Sequence, residues 1–256
     1  MDSKTTTVQS VDRALQILDL LQEKPGGLGV TELSKLLDVA KSTTHRLLSS
    51  LQAKGFVKQD KQTGKYSLGL RLVELGNEIV QSLDIRKVAS PYLSKLVGEI
   101  GETAHLVIHE EGEVVYIDKL ESTASLRMYS QIGRHAPLHC TGVGKAMAAY
   151  LPENELEWII QHKGLKKFTH NTVTTKAEFM KALQEIRNKG FSIDDEEHEL
   201  GIRCAAAPIF NNNQQVVAGI SVAGPAMRMT DEKLESCAQK VTECANEISA
   251  LLGYRK

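Results

Sequence analysis

A short segment flanked by glycines, Gly142-Val143-Gly144, precedes a predicted helix and has the pattern of an anion-binding turn. Bare backbone N–H groups at a helix start can converge on a negative charge, because the helix dipole is positive at that end. This pattern favours a small carboxylate ligand, and the alternative is that the glycines only permit a tight turn. A nucleotide phosphate loop is excluded, since it needs Gly at 139 and Ser or Thr at 146, where the chain has His139 and Ala146.

Histidines and acidic residues raise two further possibilities, a metal centre and an acid–base or calcium site. His105 and His109 are four residues apart in a predicted apolar strand, so a metal site with His139 or His198 is an alternative to ordinary polar or core histidines. The acidic run at 194–199 is interpreted mainly as solvated surface. The sequence has no GxSxG nucleophile elbow and no Cys or Ser beside an identifiable base. We therefore expect no metal, no cofactor and no catalytic residues.

Positive charge is concentrated in the first part of the chain. The formal net charge of the whole chain is -1, yet residues 1–72 hold 11 Lys and Arg against 7 Asp and Glu. Between residues 41 and 65 the single acid, Asp60, is outnumbered by Lys41, Arg46, Lys54, Lys58, Lys61 and Lys65. Clustered cations predict a polyanionic partner such as nucleic acid. A solvated basic face is the alternative.

Three helices and a hairpin are predicted to position these cations. Ser10 is predicted to cap the first helix, which ends at 25–27, and Thr31 to cap a short second helix. A third helix begins at Lys41 after a tight connection, which makes a helix-turn-helix. The segments FVKQD and KYSL then form a predicted hairpin whose turn includes Gly64, and this hairpin is the wing of a winged helix.

The start of the third helix and the wing are the predicted DNA-binding surface. Short hydroxyls and cations at the start of the second helix of such a pair can reach base edges and phosphates in the major groove. Wing lysines suit phosphate contacts, which contribute affinity more than sequence choice. The predicted contacts are Lys41, Ser42, Thr43, Thr44, His45, Arg46, Lys58, Lys61 and Lys65.

Beyond the wing, the sequence predicts a linker helix and a larger domain of strands and helices. The strand-like runs are TAHLVIHE, EVVYIDKL, SLRMYSQI, IRCAAAPIF and QVVAGISVAG. Strands grouped with helices at either end, without strict alternation, favour an α+β fold with a mainly antiparallel sheet. We predict a winged helix-turn-helix DNA-binding domain at 1–68, a linker helix at 69–83 and a second domain at 84–256, to which the family resemblance described below assigns effector binding.

Composition narrows the class of protein. Apolar residues make up 41% and charged residues 25% of the 256 residues, which is typical of a globular protein. No uninterrupted apolar run approaches the roughly 18 residues of a membrane span, and the first residues lack a secretory pattern, so we expect a cytoplasmic protein without membrane contact. The cysteines are few and scattered, which predicts reduced, buried thiols rather than a disulfide framework.

Six motifs, taken together in order and spacing, resemble the IclR family of transcriptional regulators. They are SVDRALQILDLL, TELSKLLDVAKSTTHRLLSSLQAKGFV, YSLGLRLVELG, LHCTGVGKAMAAYLP, DDEEHELGIRCAAAPIF and ISVAGP. The resemblance covers the chain from about Val8 to Leu252. It implies a winged helix-turn-helix, a linker helix used in dimerisation, and a C-terminal α/β effector-binding domain related to the GAF and PAS folds.

The same resemblance implies homodimers or dimers of dimers that bind double-stranded operator DNA and respond to small metabolites, commonly carboxylic acids. The positions that match the family's effector contacts are Met128, Gly142, Val143, Asp194, Ile202, Cys204 and Ser221. Cys204 also fits the alternative of a small core residue. The family often has a second serine where this chain has Ala223, and this departure leaves room for a less polar ligand.

These observations together predict a metabolite-responsive DNA-binding regulator, a repressor of a catabolic operon that a small carboxylic acid releases. The alternative is a small-molecule enzyme with a winged-helix appendage for protein contacts. Turnover of a bound carboxylic acid would favour the enzyme. Salt-sensitive, sequence-selective DNA binding would favour the regulator.

Overall fold

The computed structural model describes residues 8–82, 84–122 and 130–255, and between 77 and 84 it describes the backbone only. The described chain forms two compact units, 8–82 and 84–255. The elements of the first unit are α1 (Gln9–Glu23), α2 (Val30–Leu36), α3 (Lys41–Ala53), β1 (Val57–Gln59), β2 (Tyr66–Leu68) and α4 (Arg71–Ser82). The elements of the second are α5 (Asp84–Ile100), β3 (Thr103–Glu110), β4 (Glu113–Leu120), β5 (His135–Pro137), α6 (Gly142–Ala148), α7 (Glu153–His162), α8 (Lys176–Lys189), β6 (Ser192–Asp195), β7 (Ile202–Phe210), β8 (Val216–Pro225) and α9 (Asp231–Leu251).

The first unit is a winged helix-turn-helix, as predicted. Ile17, Leu33 and Leu48 bring one side chain each from α1, α2 and α3 into a fully buried core. β1 and β2 pair in antiparallel fashion, with Val57 opposite Leu68. The apolar face of α3 is packed in this core, which fixes the orientation of the helix and leaves its opposite face exposed to solvent.

The predicted caps of α1 and α2 are wrong. Both helices begin before the proposed caps, so Ser10 and Thr31 lie inside the first turns. At α2 the N-cap is Gly29, whose N–H donates to Glu32 Oε2 at 2.8 Å. A carboxylate three residues into the helix thus satisfies the backbone group, and a hydroxyl cap is not needed.

The second unit is built on a six-stranded sheet in the order β5-β4-β3-β8-β7-β6, and all its described pairings are antiparallel. Side chains alternate between the two faces, as in the neighbours Leu106 and Val107. One face packs against α6, α7 and α8, and the other packs against α5 and α9. The prediction of an α+β fold with a mainly antiparallel sheet is confirmed.

Some strand predictions differ from the structure. The short strands β5 and β6 were not predicted, whereas the predicted strand at 125–132 lies largely outside the described residues, and its described positions Ser130, Gln131 and Ile132 are not in a strand. All four cysteines are buried and free, as expected. Within the described ranges, no helix is both long and apolar enough to cross a bilayer.

Candidate functional site

The start of α3 forms a polar, solvent-facing surface. Lys41, Ser42, His45 and Arg46 are exposed, and Thr43 is partly exposed. The opposite face of α3 is packed in the core, so the helix backbone that carries these side chains is fixed. The side chains themselves face solvent, where a partner can contact them.

The expectation that α3 presents Thr44 at this surface is corrected by the structure. Thr44 is fully buried, and its hydroxyl donates to the carbonyl oxygen of Ala40 at 3.3 Å. Four residues later, Leu48 lies in the core on the same helix face. Helical periodicity therefore places Thr44 with the packed residues, although its residue type suggested DNA contact.

The wing is a tight turn with a charged tip. Asp60 Oδ1 accepts the N–H groups of Thr63 and Gln62, each at 2.8 Å, and these bonds lower the pKa of Asp60 below its usual value. Gly64 has φ of 69°, the left-handed conformation that glycine adopts without strain. All three predicted wing lysines, Lys58, Lys61 and Lys65, are exposed.

In the second unit, a pocket of about 390 Å³, including its open mouth, lies between the start of α6 and the sheet. Six of the seven residues expected to contact an effector line it, namely Gly142, Val143, Asp194, Ile202, Cys204 and Ser221. The seventh, Met128, lies outside the described residues. The remaining lining residues are His105, Tyr116, Thr141, His198, Glu199 and Ala223.

The helix start at α6 is a compact turn capped by Thr141. The hydroxyl oxygen of Thr141 accepts the N–H of Gly144 at 3.2 Å, so this donor is not available to a ligand. The N–H groups of Gly142 and Val143 have no partner in the described part of the chain. A Cβ on Gly144 would lie 2.3 Å from the Leu138 carbonyl oxygen. The tight-turn interpretation thus accounts for Gly144, while Gly142 and Val143 keep free donors beside the pocket.

Asp194 provides a carboxyl group inside this pocket. It is 6% exposed, and burial raises its pKa to about 7, although the charge of Lys145 and the N–H of Glu197 oppose the shift. The Glu197 N–H donates to Asp194 Oδ1 at 2.8 Å. At neutral pH this carboxyl group can therefore either donate or accept a hydrogen bond to a ligand.

The sheet supplies neutral polar groups to the same pocket. His105 Nε2 lies 2.8 Å from Ser130 Oγ, and burial lowers the pKa of His105 to about 3. The rings of His105 and Tyr116 make an edge contact at 5.2 Å between centroids. Burial raises the thiol pKa of Cys204 far above its usual value. The titratable side chains that β3, β4 and β7 contribute to the pocket are thus uncharged at neutral pH.

The other candidate sites of the sequence have different roles. His109 Nε2 accepts the N–H of Gly112 at 3.0 Å, while His105 bonds to Ser130, so the two histidines serve separate local contacts. Among the described residues, no group of three or more His, Cys, Asp or Glu side chains is arranged to hold a metal ion. In the acidic run that was interpreted mainly as surface, Asp195 and Glu199 are exposed, whereas Glu197 is buried and Asp194 is buried at the pocket.

Sequence reasoning missed several residues of the pocket. His105, Tyr116, Thr141 and His198 were not assigned to it. The alternation within β3 and β4 could have placed His105 and Tyr116 on one sheet face, but no sequence signal showed which face α6 covers.

Comparisons with known proteins find related proteins for both units of the chain. Residues 10–61 match the model of the IclR helix-turn-helix domain, and residues 77–250 match the model of the bacterial transcriptional regulator IclR C-terminal domain. The transcriptional regulator XynR of Escherichia coli is 40% identical over 96% of this chain and 98% of its own. The transcriptional repressor IclR of Escherichia coli is 35% identical over 97% of this chain and 92% of its own.

A solved structure shows the same architecture. The crystal structure of the IclR protein of Thermotoga maritima superposes with a TM-score of 0.82 and 36% identity, over 96% of this chain and 99% of the other. These similar proteins are named as regulators, which favours the regulator over the enzyme alternative. With both family models matched and relatives similar along nearly its whole length, the chain belongs to the IclR family of bacterial transcriptional regulators.

Proposed function

We propose that this chain is a cytoplasmic repressor that binds operator DNA as a homodimer or dimer of dimers and is released by a small carboxylic acid. The observation that carries the proposal is the convergence of six expected effector contacts on one pocket. The exposed cations of α3 and the wing supply the DNA-binding part of the proposal.

The chemistry of the pocket suggests how an acid would be oriented. The N–H groups of Gly142 and Val143 and the hydroxyl of Ser221 are donors for a carboxylate. Asp194 would bond a hydroxyl or hydrated keto group of the same ligand. Ile202 would exclude water from the carbon chain, and Ala223 leaves the wall less polar than a serine would.

Effector and DNA would be coupled through the assembly. Two copies of α3 must match half-sites about 34 Å apart, one helical turn of DNA. An acid that binds more tightly to the arrangement that cannot match both half-sites will shift the population away from DNA. The affinity for DNA then falls as the acid concentration rises.

The primary test is a thermal-shift screen of the full-length protein against short hydroxy, keto and sugar acids. A ligand that binds only the native state raises Tm in a concentration-dependent manner. Acids that raise Tm are then added to the complex of the protein with a DNA site selected from a random-sequence pool. Release of DNA supports the proposal. Turnover of the acid, or a Tm increase without any effect on DNA binding, would contradict it.

Two variants locate the binding site of the best acid. Ser221→Ala removes one neutral hydrogen-bond donor and should weaken binding of the acid by about 1–2 kcal/mol, measured by calorimetry. Asp194→Asn should change the order of preference among acids more than the affinity for the simplest acid, because it alters the polar contact away from the carboxylate. Ser236→Ala, at an exposed position on α9, is the matched control and should have no effect. Equal affinity in all three variants would place the site elsewhere.

A further inference from the structure

Lys145 is a buried cation beside the pocket that the ligand contacts described above do not use. It lies on α6, one turn after Gly142, and is 5% exposed. Its ammonium group donates to the Ile193 carbonyl oxygen at 2.7 Å and pairs with Glu197 Oε1. A lysine is rarely buried unless it is paired, so this position has a specific role in the fold or in the site.

The contacts of Lys145 surround Asp194 on the chain. Ile193 precedes Asp194, and Glu197 follows it and donates its own N–H to Asp194 Oδ1 at 2.8 Å. The same segment is attached to α6 a second time, because the Ser192 hydroxyl donates to the carbonyl oxygen of Gly142. On its outer side, the Thr172 hydroxyl donates to the Glu197 carbonyl oxygen at 2.6 Å. Asp194 is therefore held against the start of α6, where an ideal Cβ on Gly142 would lie 3.5 Å from the Asp194 Cβ.

Burial has the largest effect on the pKa of Asp194, and among nearby charged groups Lys145 has the largest effect. The other titratable groups around it are Cys140 before α6, Tyr116 on β4, Cys204 on β7, and His105, His198 and Glu199 at the pocket wall. Burial raises the pKa of the two thiols and the phenol and lowers that of both histidines, which keeps all five neutral near pH 7. Glu199 is exposed to solvent. Lys145 is thus the nearby buried charge that favours the ionised form of Asp194, and Glu197 opposes it.

We propose that Lys145 is the positioning residue of the effector pocket, which fixes Asp194 against Gly142 and sets the protonation state in which Asp194 meets the ligand. The proposal rests on the proposed function for its biological meaning. The ion pair would be the specificity-determining element behind the pocket wall, because an ionised Asp194 accepts from a ligand hydroxyl and a protonated one donates to a ligand oxygen. One carboxyl group in two protonation states discriminates between hydroxy and keto acids.

The experiment measures the titration of Asp194 directly in the ligand-free, full-length protein. Protein labelled with ¹³C at the aspartate carboxyl carbons is titrated by NMR, and the Asp194 signal is identified by its absence in Asp194→Asn. In Lys145→Met we expect the midpoint to rise by about one pH unit, since a cation no longer favours the carboxylate. In Glu197→Gln we expect it to fall. Opposite shifts are a result that a merely structural role does not produce.

The controls keep the test decisive. Lys176→Met removes a lysine from an exposed ion pair with Glu157 on the protein surface and should leave the Asp194 midpoint unchanged. If Lys145→Met does not fold, the double variant Lys145→Met/Glu197→Met replaces the buried pair by apolar groups, which is often tolerated. Its midpoint should still rise, because Lys145 affects Asp194 more than Glu197 does. An unchanged Asp194 midpoint in the folded Lys145 variants would overturn the proposal, whether or not any acid binds the protein.

A ligand measurement then tests the discrimination itself. Lactate and pyruvate serve as a hydroxy and a keto probe of equal length, and their affinities are compared by calorimetry at pH 7. In Lys145→Met the ratio of the lactate to the pyruvate affinity should fall several-fold relative to the wild type. A ratio that stays constant while the Asp194 midpoint moves would overturn the specificity role. Failure of both acids to bind the wild type would instead count against the proposed acid effector.

Discussion

Gly142 at the start of α6 and Cys204 on β7 pack so closely that a Cβ on the glycine would lie 2.9 Å from Cys204 Sγ. Real Cβ atoms do not approach a neighbour at this distance, so Gly142→Ala must displace the buried Cys204 thiol, the helix or the strand. We expect a loss of about 1–3 kcal/mol in the free energy of unfolding, measured by urea denaturation.

The matched experiments use the same pair of positions. Cys204→Ala removes the sulfur, so the double variant Gly142→Ala/Cys204→Ala should be more stable than the sum of the single effects predicts. Gly98→Ala, on α5 where nothing lies within 4 Å, should stabilise the protein by up to about 1 kcal/mol. Strict additivity of the two substitutions would show that Gly142 is constrained by another neighbour.

DNA contact should depend on Arg46 and not on Thr44. Arg46→Ala should weaken binding to a selected DNA site by about 1–3 kcal/mol and relax one base position if the guanidinium reads a guanine. If the guanidinium contacts phosphate instead, the affinity for all DNA sequences should fall by the same factor. Thr44→Ala should lower stability, because the side chain is fully buried, while leaving base preference intact. Gel shifts with a panel of single-base DNA variants distinguish base contact from phosphate contact. Normal affinity of Arg46→Ala for every DNA site would show that the start of α3 does not contact DNA through Arg46.

Dimerisation should depend on the apolar surface of α4. Leu75 is an apolar residue on this helix and is 39% exposed in the isolated chain, so a second copy of the chain that packs on it would bury apolar area. Leu75→Asp should shift light scattering toward the monomer and weaken DNA binding, since two half-sites are then bound separately. Leu251→Asp, at an exposed position on α9, is the control. A fully dimeric Leu75→Asp would locate the interface elsewhere.

Two buried groups should give opposite pH dependences of stability. His105 has a folded pKa lowered from 6.5 to about 3, so the native state binds fewer protons than the unfolded state, and stability falls as the pH drops through this range. Asp194 has a folded pKa raised from 3.8 to about 7, so its contribution is complete below pH 4 and is lost as the pH rises toward 7. Each changes the free energy of unfolding by at most about 1.4 kcal/mol per pH unit.

The two effects can be separated by substitution. Relative to the wild type, His105→Gln should lose less stability on acidification from pH 6.5 to 4, and Asp194→Asn should lose more. Urea denaturation at half-unit pH intervals measures both, and Asp19→Asn on the exposed part of α1 provides the control. Parallel stability curves for the wild type and both variants would show that neither group has a shifted pKa.

The helices could be predicted from sequence because their apolar spacing is local. Apolar spacing at 176–189 and a hydroxyl residue before Asp231 are such local signals: the structure has α8 at Lys176–Lys189, and Thr230 caps α9 by accepting the N–H of Lys233. The predicted caps of α1 and α2 were wrong. α1 begins after Val8 without a side-chain cap, and at α2 the Glu32 carboxylate accepts the Gly29 N–H in place of a hydroxyl cap. The strand β5 was not predicted, because three residues ending at Pro137 are too few to show the alternation of apolar and polar side chains that indicates a strand.

The site was partly predictable, and the missing part has one physical cause. Gly142 and Gly144 signal their turn locally, but an acidic run gives no sign of which carboxylates are buried. Glu197 is buried because Lys145, 52 residues earlier, meets it across the fold. Only the folded chain brings such partners together, so charge patterning favoured a mainly solvated run, and Asp194 was expected in the pocket only through the family resemblance.

The order of strands in the effector unit also affects how the chain acquires its structure during synthesis. The central pairing joins Thr103 on β3 to Ala223 on β8, so the middle of the sheet cannot close until most of the unit has been made. The winged helix-turn-helix, by contrast, closes through neighbours within residues 8–68. Non-local pairing slows folding, and domains emerge from the ribosome in chain order. In a newly made chain, the winged helix-turn-helix will therefore be folded before the effector unit can form its ligand pocket.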